Sequence, residues 1–247
     1  SAVARGEGLG VARGEGLGLV STGTAVLSDP GVPVAEGERF ERISAMYAQV
    51  FQDYQVSGCH VHTGVPDRET AVAVINHLTV WLPVLLALSA NSPFDRGRDT
   101  GYASWRMVQQ SRLPGSGLTP WFGSAAEYDA TALRLVDCGV LVDETMSFWL
   151  ARPSPRYPTV EVRVADAAAT VDEAMLQCAL TVALVRYALA ELSAGREARP
   201  VDLLDERPAA FFISQFVKRI RDIATNCLVV SRLNNAVAIA AFHTHAN

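Results

Sequence analysis

The sequence predicts an α+β fold, with a sheet that carries helices on its outer face. Two segments, 54–65 and 158–166, alternate polar and apolar residues as half-buried strands do. Apolar residues make up 49% of the 247 positions, which is enough to bury a substantial core. Four other segments place apolar residues at helical spacing: 38–51, 66–90, 124–140 and 170–192.

The N-terminal part of the sequence is predicted in three pieces. Residues 3–18 repeat a glycine-rich unit of eight residues once, which we interpret as a fraying arm or a local duplication. Residues 17–27 are rich in β-branched side chains and predict a strand, and a loop rich in proline and glycine follows. The first helix is then expected from about Glu38 to Phe51.

The central helices have clear start signals. Asp67 is placed to cap a helix that has Pro66 near its first turn. The apolar run from Leu78 to Ala90 is too short to cross a bilayer, and Pro83 within it predicts a buried helix that bends or begins there. Residues 94–122 show little periodicity and predict a long polar loop, which in a compact domain is more often functional than idle.

The second half of the sequence predicts a helix, a strand and another helix. Ser124 is placed to cap the first helix, whose apolar side we assign to Leu133, Val136 and Val140. The strand 158–166 follows. The last helix begins at Thr170 or Asp172, is filled by alanine and leucine, and ends at the Ser-Ala-Gly sequence 193–195.

The composition argues against several classes of partner. The net charge is −5 and the basic residues are scattered, so no surface for a nucleic-acid backbone is predicted. The four cysteines are far apart without CxxC spacing, which favours reduced thiols and a cytoplasmic protein. No charged and then apolar leader opens the sequence, and we expect no membrane partner. A homo-oligomer stays open.

Two histidines share one face of the first predicted strand. Alternation turns His60 and His62 to one side and Cys59 to the other, so we do not expect Cys59 to act as a nucleophile with His60. Two neighbouring imidazoles suit a metal ion or an anionic ligand, but ordinary strands contain this motif too. A zinc-dependent hydrolase that uses both histidines is therefore one alternative.

The second predicted strand contains the motif VEVRV. Its three valines are expected on the packed face, with Glu161 and Arg163 on the opposite face. The two charged groups could simply pair with each other across a solvated face. A carboxylate also suits Mg²⁺ and a neighbouring arginine suits phosphate oxygens, so the pair resembles one corner of a phosphoryl-transfer site.

Arginines are concentrated in the predicted loop 94–122. Guanidinium groups bind carboxylate and phosphate bidentately, which makes these residues candidates for contact with an anionic substrate. By their position in the loop, we assign Arg98 and Arg106 to catalysis and Arg112, Arg96 and Tyr102 to substrate binding. A loop whose charges only keep the protein soluble is the alternative.

Four motifs in order resemble one known protein family. GCHVHTGVPDRE, LLALSANSPFDRGRDTGYASWR, FGSAAEYD and YPTVEVRVADAAATVDEA resemble the bacterial carboxylate-amine ligase branch of the glutamate-cysteine ligase family, over about residues 57–192. The HVH and EVR motifs also look like those of glutamine synthetase, a distant relative with the same catalytic fold. The resemblance implies an antiparallel sheet that forms a funnel-shaped site, with helices packed outside it.

The resemblance also implies a reaction. ATP would phosphorylate the γ-carboxylate of glutamate, and cysteine or another amine would displace the phosphate to give an amide, a reaction of glutathione biosynthesis. Mg²⁺ is implied as cofactor, with ATP as co-substrate. By this resemblance His60 lies near the metal and the ATP phosphates, and His62 lies near the nucleotide. Glu161 would bind Mg²⁺, and Arg163 would hold the transferred phosphoryl group or the acyl phosphate.

The sequence departs from the family in three places. Members normally open with a strand that carries a Gly-Val-Glu-Glu-Glu motif, whose carboxylates bind further Mg²⁺, and no such motif precedes Ser57. Leu150 stands where relatives often have an aspartate before the arginine, here Arg152, and the tail after about Ala210 differs from theirs. The alternative that these departures motivate is a truncated, non-catalytic remnant that binds a nucleotide or an amino acid.

The expected domain organisation has three parts. Residues 1–37 form the glycine-rich arm, a strand and a loop, and residues 38–195 form the ligase-like catalytic domain. Residues 196–247 form a linker and a C-terminal helical segment of uncertain origin.

Overall fold

Helices and an antiparallel sheet make up the fold, as the sequence predicts. The computed structural model describes residues 20–27 and 35–200. The glycine-rich repeat, part of the first predicted strand and the C-terminal segment from residue 201 lie outside the described residues.

Strands and helices are numbered here within the described residues. The strands are β1 Gly58–Gly64, β2 Phe94–Asp95, β3 Arg98–Asp99, β4 Ser116–Gly117, β5 Phe148–Trp149, β6 Ala151–Pro153 and β7 Thr159–Asp166. The helices are α1 Glu38–Tyr47, α2 Gln49–Gln52, α3 Arg68–Leu78, α4 Leu82–Ser89, α5 Trp105–Ser111, α6 Ala125–Asp137 and α7 Val171–Ser193. Short 3₁₀ helices cover Thr79–Trp81 and Glu144–Met146.

The central sheet has the antiparallel order β1-β7-β6. His62 lies opposite Glu161 in the β1–β7 pair, but Cys59 pairs with Ala165, so the register shifts by one residue between them. His60 therefore faces two residues of β7, Arg163 and Val164. An extra residue of this kind is a β-bulge, which bends the strand and changes the direction of nearby side chains.

One face of the sheet packs into the main hydrophobic core. Val160, Val162 and Val164 are buried there, as predicted from their alternation. Helices α3, α4 and α7 cover them with a set of buried aliphatic side chains that includes Val74, Ile75, Leu82, Leu86 and Val185. The opposite face of β7 is left for the charged residues of the VEVRV motif.

The predicted helix starts are confirmed for three helices. Asp67 accepts a hydrogen bond from the Thr70 amide (2.7 Å) at the start of α3, and Ser124 caps α6. Thr170 begins α7 with a capping box. Pro83 lies in the first turn of α4, where a missing amide proton costs no helical hydrogen bond.

Four predictions for secondary structure are wrong in part. Residues 20–27 contain no strand, only an isolated bridge between Thr24 and Val56. The helix 38–51 is broken at Ala48, which has a left-handed φ of 45°. On α6 the buried side chains are Tyr128 and Ala132, and Leu133 is exposed.

The predicted loop 94–122 is the fourth of these, because it contains regular structure. It has a two-stranded hairpin, β2–β3, whose turn is made by Arg96 and Gly97, both with positive φ (49° and 73°). Helix α5 follows and is capped by Ser104, which accepts a hydrogen bond from the Met107 amide (3.2 Å). A helix of seven residues is too short for its periodicity to stand out in the sequence.

Two helical stretches within the described residues are long and apolar enough to span a membrane. They are Arg68–Ser89 and Val171–Ser193, with mean hydropathy of 2.0 and 1.4. Length and composition alone are weak evidence for a span, because buried core helices have both properties. The first stretch includes Ile75, Leu82 and Leu86 of the core described above.

Candidate active site

A buried carboxylate lies at the centre of the charged face of β7. Glu161 is only 5% exposed, and each of its oxygens accepts a hydrogen bond from an arginine. Arg163 Nη1 lies 2.5 Å from Oε1, and Arg152 Nε lies 2.8 Å from Oε2. His60 Nδ1 and His62 Nε2 approach Oε1 to 3.3 and 3.9 Å. The strand pairing thus brings together the four residues that the two motifs singled out.

Arg152 is the member of this cluster that the site assignment from sequence missed. It lies on the short strand β6 directly opposite Glu161. Its Nη1 also donates to the carbonyl oxygens of Thr145 (2.7 Å) and Ser147 (2.9 Å). The guanidinium therefore ties the 3₁₀ turn Glu144–Met146 to the carboxylate. Only the pairing of β6 with β7 reveals this contact, and a three-residue strand leaves almost no pattern in a sequence.

The pKa values of the cluster follow from its positive surroundings. Burial alone raises the pKa of Glu161, but hydrogen bonds from His60 and Arg152 and the charges of Arg163 and Arg152 outweigh it and hold the pKa far below its usual range. Glu161 is therefore ionised. The hydrogen bond to Glu161 favours the charged form of His60, but burial and the nearby charges of Arg163 and Arg106 outweigh it, so the pKa of His60 is lowered below its ordinary 6.5.

Arg106, a catalytic candidate from its position in the predicted loop, lies in the interior of the described fold. Its side chain is buried, with 2% of the residue exposed. Nη2 and Nη1 donate to the carbonyl oxygens of Arg163 (2.9 Å) and Val164 (3.2 Å), the two residues of the bulge. Arg106 thus supports the irregular part of β7 from below, and its bonds go to protein groups. These bonds hold the backbone at Arg163, and the catalytic assignment of Arg106 stays a prediction.

A buried aspartate fixes Arg106 and the start of α5. Asp166 is fully buried and accepts hydrogen bonds from the Asn91 amide (2.9 Å) and from the hydroxyls of Ser92 (2.7 Å) and Ser104 (2.9 Å). Its Oδ1 lies 3.6 Å from Nη1 of Arg106. Burial raises the pKa of Asp166, although the positive charge of Arg106 and these hydrogen bonds oppose the rise. The arginine segment is thus anchored to the end of β7.

The other arginines of the segment point elsewhere. Arg96 pairs with Asp53 (3.3 Å), and Arg112 donates to Gln109. Arg98 lies exposed on β3, and the Tyr102 ring packs against Trp105. The ion pairs of Glu161 come from β1, β6 and β7. Within the described residues, Arg96, Arg98, Tyr102 and Arg112 therefore lie outside the charged cluster.

Two clefts border residues that belong to the charged cluster or bond to it. The first, which we name the proline cleft, has a volume of about 270 Å³ and lies next to His62, whose Nδ1 is 2.9 Å from Thr159 Oγ1. It is lined by Asp67, Arg68, Ala71, Thr159 and the segment 153–158. The second, the aromatic cleft, has about 230 Å³ and is lined by Arg39, Phe40, Ile43, Phe51, Tyr54, Thr145, Met146, Ser147, Phe148, Arg152 and Arg163. The aromatic cleft borders the charged cluster at Arg152 and Arg163, and the proline cleft includes Thr159, the partner of His62.

The family resemblance implies Mg²⁺ at this cluster, so the cluster should offer the oxygen ligands that this ion prefers. Mg²⁺ binds carboxylate, phosphate and water oxygens in octahedral geometry. Here one carboxylate is available, and both its oxygens already accept hydrogen bonds from arginines. Among residues 20–27 and 35–200, no group of three or more His, Cys, Asp or Glu side chains is arranged to hold a metal ion. The described residues alone therefore do not supply the ligands of a resident Mg²⁺, or a third ligand for zinc beside His60 and His62.

The fold and this cluster define a class: an α+β protein in which a buried carboxylate is bonded by two guanidinium groups and approached by two imidazoles. Residues 3–237 match the family model described as glutamate-cysteine ligase family 2. The chain belongs to this family.

Individual relatives agree with the family model. The chain is 62% identical over 179 residues to a protein of Saccharopolyspora erythraea named "Putative glutamate–cysteine ligase 2-2". The aligned residues make up 72% of this chain and 46% of the relative. It is 46% identical over 180 residues to the "Putative glutamate–cysteine ligase 2" of Salinispora arenicola, covering 73% of this chain and 48% of that protein. The chain thus spans about half the length of the curated relatives that it matches.

Proposed function

We propose that this chain is an ATP-dependent carboxylate-amine ligase of the glutamate-cysteine ligase type, which forms a γ-glutamyl amide through an acyl phosphate. The observation that supports the proposal is the charged cluster around Glu161, two of whose arginines line the aromatic cleft. Such a site suits a reaction that joins a nucleotide and a second substrate at a shared, positively charged point. A funnel-shaped site like that of glutamine synthetase is part of the same proposal.

In the proposed reaction, Mg-ATP enters as a substrate with its triphosphate at the charged cluster. The adenine base of ATP occupies the proline cleft, because the proline and tyrosine side chains there suit a flat ring. His62 contacts Tyr157 of this cleft and also approaches Glu161. A glutamate side-chain oxygen attacks the γ-phosphorus, the bond to ADP breaks, and an acyl phosphate forms. The amine nitrogen then attacks the acyl carbon, and phosphate leaves with the electrons of the broken C–O bond.

Arg163 is the residue proposed to hold the transferred phosphoryl group. Its Nη1 is used by Glu161, but no described residue accepts a hydrogen bond from its buried Nε. Arg163 lines the aromatic cleft, and a guanidinium close to the site where negative charge develops stabilises that charge in the transition state. Glu161 orients this guanidinium by accepting a hydrogen bond from its Nη1. Arg106 fixes the backbone of the same residue by donating to the Arg163 carbonyl oxygen.

His60 is the residue proposed to take the proton from the attacking amine. Its pKa is lowered, so the ring is neutral at pH 7. His60 Nδ1 lies 3.3 Å from Glu161 Oε1 and 3.5 Å from Arg163 Nη1, and in the tautomer whose Nδ1–H donates to Glu161 the lone pair of Nε2 can accept a proton. An ionised carboxylate behind a histidine also stabilises the imidazolium that forms.

The test is the release of ADP by the complete chain. We expect ADP only when Mg-ATP, glutamate and an amine are present together, and no amine-dependent ADP release would count against the proposal. Arg163→Gln should lower kcat/KM by about 100-fold or more. The exposed Arg134, which donates to Thr131 on α6, provides the control: Arg134→Gln should leave kcat/KM unchanged within about twofold.

A second candidate is a non-catalytic protein that binds a nucleotide or an amino acid. It is favoured by the absence of a metal-binding cluster from the described part of the chain. It predicts that ATP or glutamate raises the melting temperature without any ADP release. ADP release that depends on the amine would exclude it.

A further inference from the structure

The size and lining of the aromatic cleft indicate which class of amine it can bind. This inference rests on the proposed ligase function. At about 230 Å³ it is smaller than the 300–1,000 Å³ or so of clefts that hold drug-sized ligands, so it suits one small molecule. Six of its eleven lining side chains are apolar or aromatic: Phe40, Ile43, Phe51, Tyr54, Met146 and Phe148. The cleft is thus largely apolar, next to the charged cluster.

The walls of the cleft are held in place by packing and by hydrogen bonds. Ile43 and Met146 are buried in a hydrophobic cluster, and Phe51 and Phe148 pack against it. Tyr54 meets Phe148 edge to face, with 6.2 Å between ring centroids. Arg42 on helix α1 donates to the Val142 carbonyl oxygen (2.9 Å), which connects α1 to the segment that precedes the 3₁₀ turn Glu144–Met146. A preformed apolar cleft of this kind selects ligands by shape and apolar area.

The polar groups of the cleft are mostly committed to protein partners. Arg39 donates to Asp143 (2.8 Å) at the mouth. Arg152 uses Nε for Glu161 and Nη1 for two carbonyl oxygens. Burial raises the pKa of the Tyr54 hydroxyl, so this group stays neutral. A zwitterionic amino acid such as glutamate needs partners for both of its charges, and this cleft has few to offer.

An amine that attacks an acyl phosphate must first lose its ammonium proton. Apolar walls and the positive charge of Arg163 both disfavour an ammonium ion, so they lower the pKa of an amine bound there. The cleft therefore favours the reactive neutral form of an amine whose remaining body is apolar. The same surroundings give no advantage to a polar acceptor.

We propose that the aromatic cleft binds the amine acceptor, and that this acceptor is a primary amine with an apolar aliphatic or aromatic body larger than the side chain of cysteine. Its nitrogen faces Arg163 and the acyl phosphate, and its body lies between Phe51 and Phe148. In the transfer step the C–N bond forms, the C–O bond to phosphate breaks, and the amine proton passes to His60.

The first experiment measures ADP release by the complete chain with Mg-ATP, glutamate and a series of amines. The series is ethylamine, propylamine, butylamine, isoamylamine and phenethylamine, with cysteine for comparison. We expect kcat/KM to rise about fourfold for each added methylene until the cleft is filled. Isoamylamine and phenethylamine should exceed cysteine by at least tenfold. Cysteine as the best acceptor, or no dependence on chain length, would overturn the inference but leave the ligase function standing.

A second experiment tests the cleft without relying on turnover. Calorimetric titration with phenethylamine should give a measurable Kd for the unmodified chain, weakened at least tenfold in Phe51→Ala. Phe51→Leu should lie between the two and guards against loss of folding, which the melting temperature reports. Leu133, which is 47% exposed on α6, provides the matched control, because Leu133→Ala removes apolar surface outside the cleft. Equal Kd values for all four proteins, or no binding by the unmodified chain, would refute the assignment.

The two kinds of failure are distinguishable. If no amine supports ADP release but phenethylamine binds in the Phe51-dependent way, the ligase proposal fails and the cleft assignment stands. If cysteine alone supports ADP release, the ligase proposal stands and the cleft assignment fails.

Discussion

Arg152 and Glu161 are direct partners across the β6–β7 pair, and Arg152 Nε lies 2.8 Å from Glu161 Oε2. The sequence alone allowed Glu161 to pair with Arg163 on a solvated face. The structure confirms the pair but places it in a buried cluster with a second guanidinium. Glu161 therefore affects stability as well as any chemistry at the site.

Glu161→Gln is expected to destabilise the protein strongly. The amide cannot neutralise Arg152 and Arg163, and both guanidinium groups stay largely buried. Loss of one partner from a buried ion pair costs about 3 kcal/mol or more in the free energy of unfolding. Urea denaturation measures the change.

Asp129→Asn provides the control for this variant, because Asp129 pairs with Arg68 in solvent, with side chains 51% and 41% exposed. An exposed pair of this kind contributes less than about 1 kcal/mol. Equal losses in the two variants would show that burial does not strengthen the Glu161 cluster.

Gly58→Ala is expected to displace Arg106. A Cβ atom at Gly58 would lie 2.6 Å from Nη2 of Arg106, whose guanidinium is held by the carbonyl oxygens of the bulge. Overpacking of this kind costs about 1–3 kcal/mol. Gly64 at the other end of β1 is the matched control, because a Cβ there meets nothing within 4 Å. Chemical denaturation of both alanine variants should show the loss at Gly58 only.

The strands and helices could be predicted where the pattern is local. The alternation in β7 identified its core valines, and the capping residues Asp67, Ser124 and Thr170 marked three helix starts. The break at Ala48 could not be predicted, because nothing in the residue type requires a left-handed φ there.

The site could be predicted only as far as each motif reaches. Alternation placed His60 and His62 on one face of the first strand, and Glu161 and Arg163 on one face of the second. The pairing of the two strands is non-local, so alternation does not predict it. Arg152 was missed for that reason. The buried position of Arg106 depends on Asp166 and on a bulge between β1 and β7, and neither leaves a mark in the sequence around Arg106. The sequence of a glycine-rich segment does not show whether its arginine faces solvent or is buried against a sheet.

Ser104→Ala is expected to loosen the start of α5. Its hydroxyl caps the helix by accepting from the Met107 amide and also donates to buried Asp166. Loss of an N-cap costs about 1 kcal/mol, and loss of a donor to a buried carboxylate adds a similar amount or more. Ser111 at the other end of α5 is the control, since its exposed hydroxyl bonds only to the Val108 carbonyl oxygen. Ser111→Ala should change the urea midpoint by a small fraction of the Ser104→Ala effect.

Acid is expected to destabilise the protein in two steps, which begin at different pH values. The fold lowers the pKa of His60 below 6.5, so as the pH falls past 6.5 the unfolded chain binds a proton that the folded protein does not. Stability therefore decreases from about pH 6.5 downward. The pKa of Glu161 is lowered from 4.5, so its stabilising contribution is complete above that value and is lost at lower pH.

Urea midpoints measured between pH 8 and pH 5 test the first step, and their continuation to about pH 3 tests the second. In His60→Asn the decrease between pH 6.5 and pH 5 should be smaller than in the unmodified chain, because the titrating imidazole is gone. His62 is the control, since it lies farther from Glu161 Oε1, at 3.9 Å against 3.3 Å for His60, and His62→Asn should retain the decrease. If the ligase proposal holds, the acid limb of kcat/KM also lies below pH 6.5, because His60 acts in its neutral form and its surroundings keep it neutral there. An acid limb above pH 6.5, or one that survives in His60→Asn, would assign the proton transfer to another group.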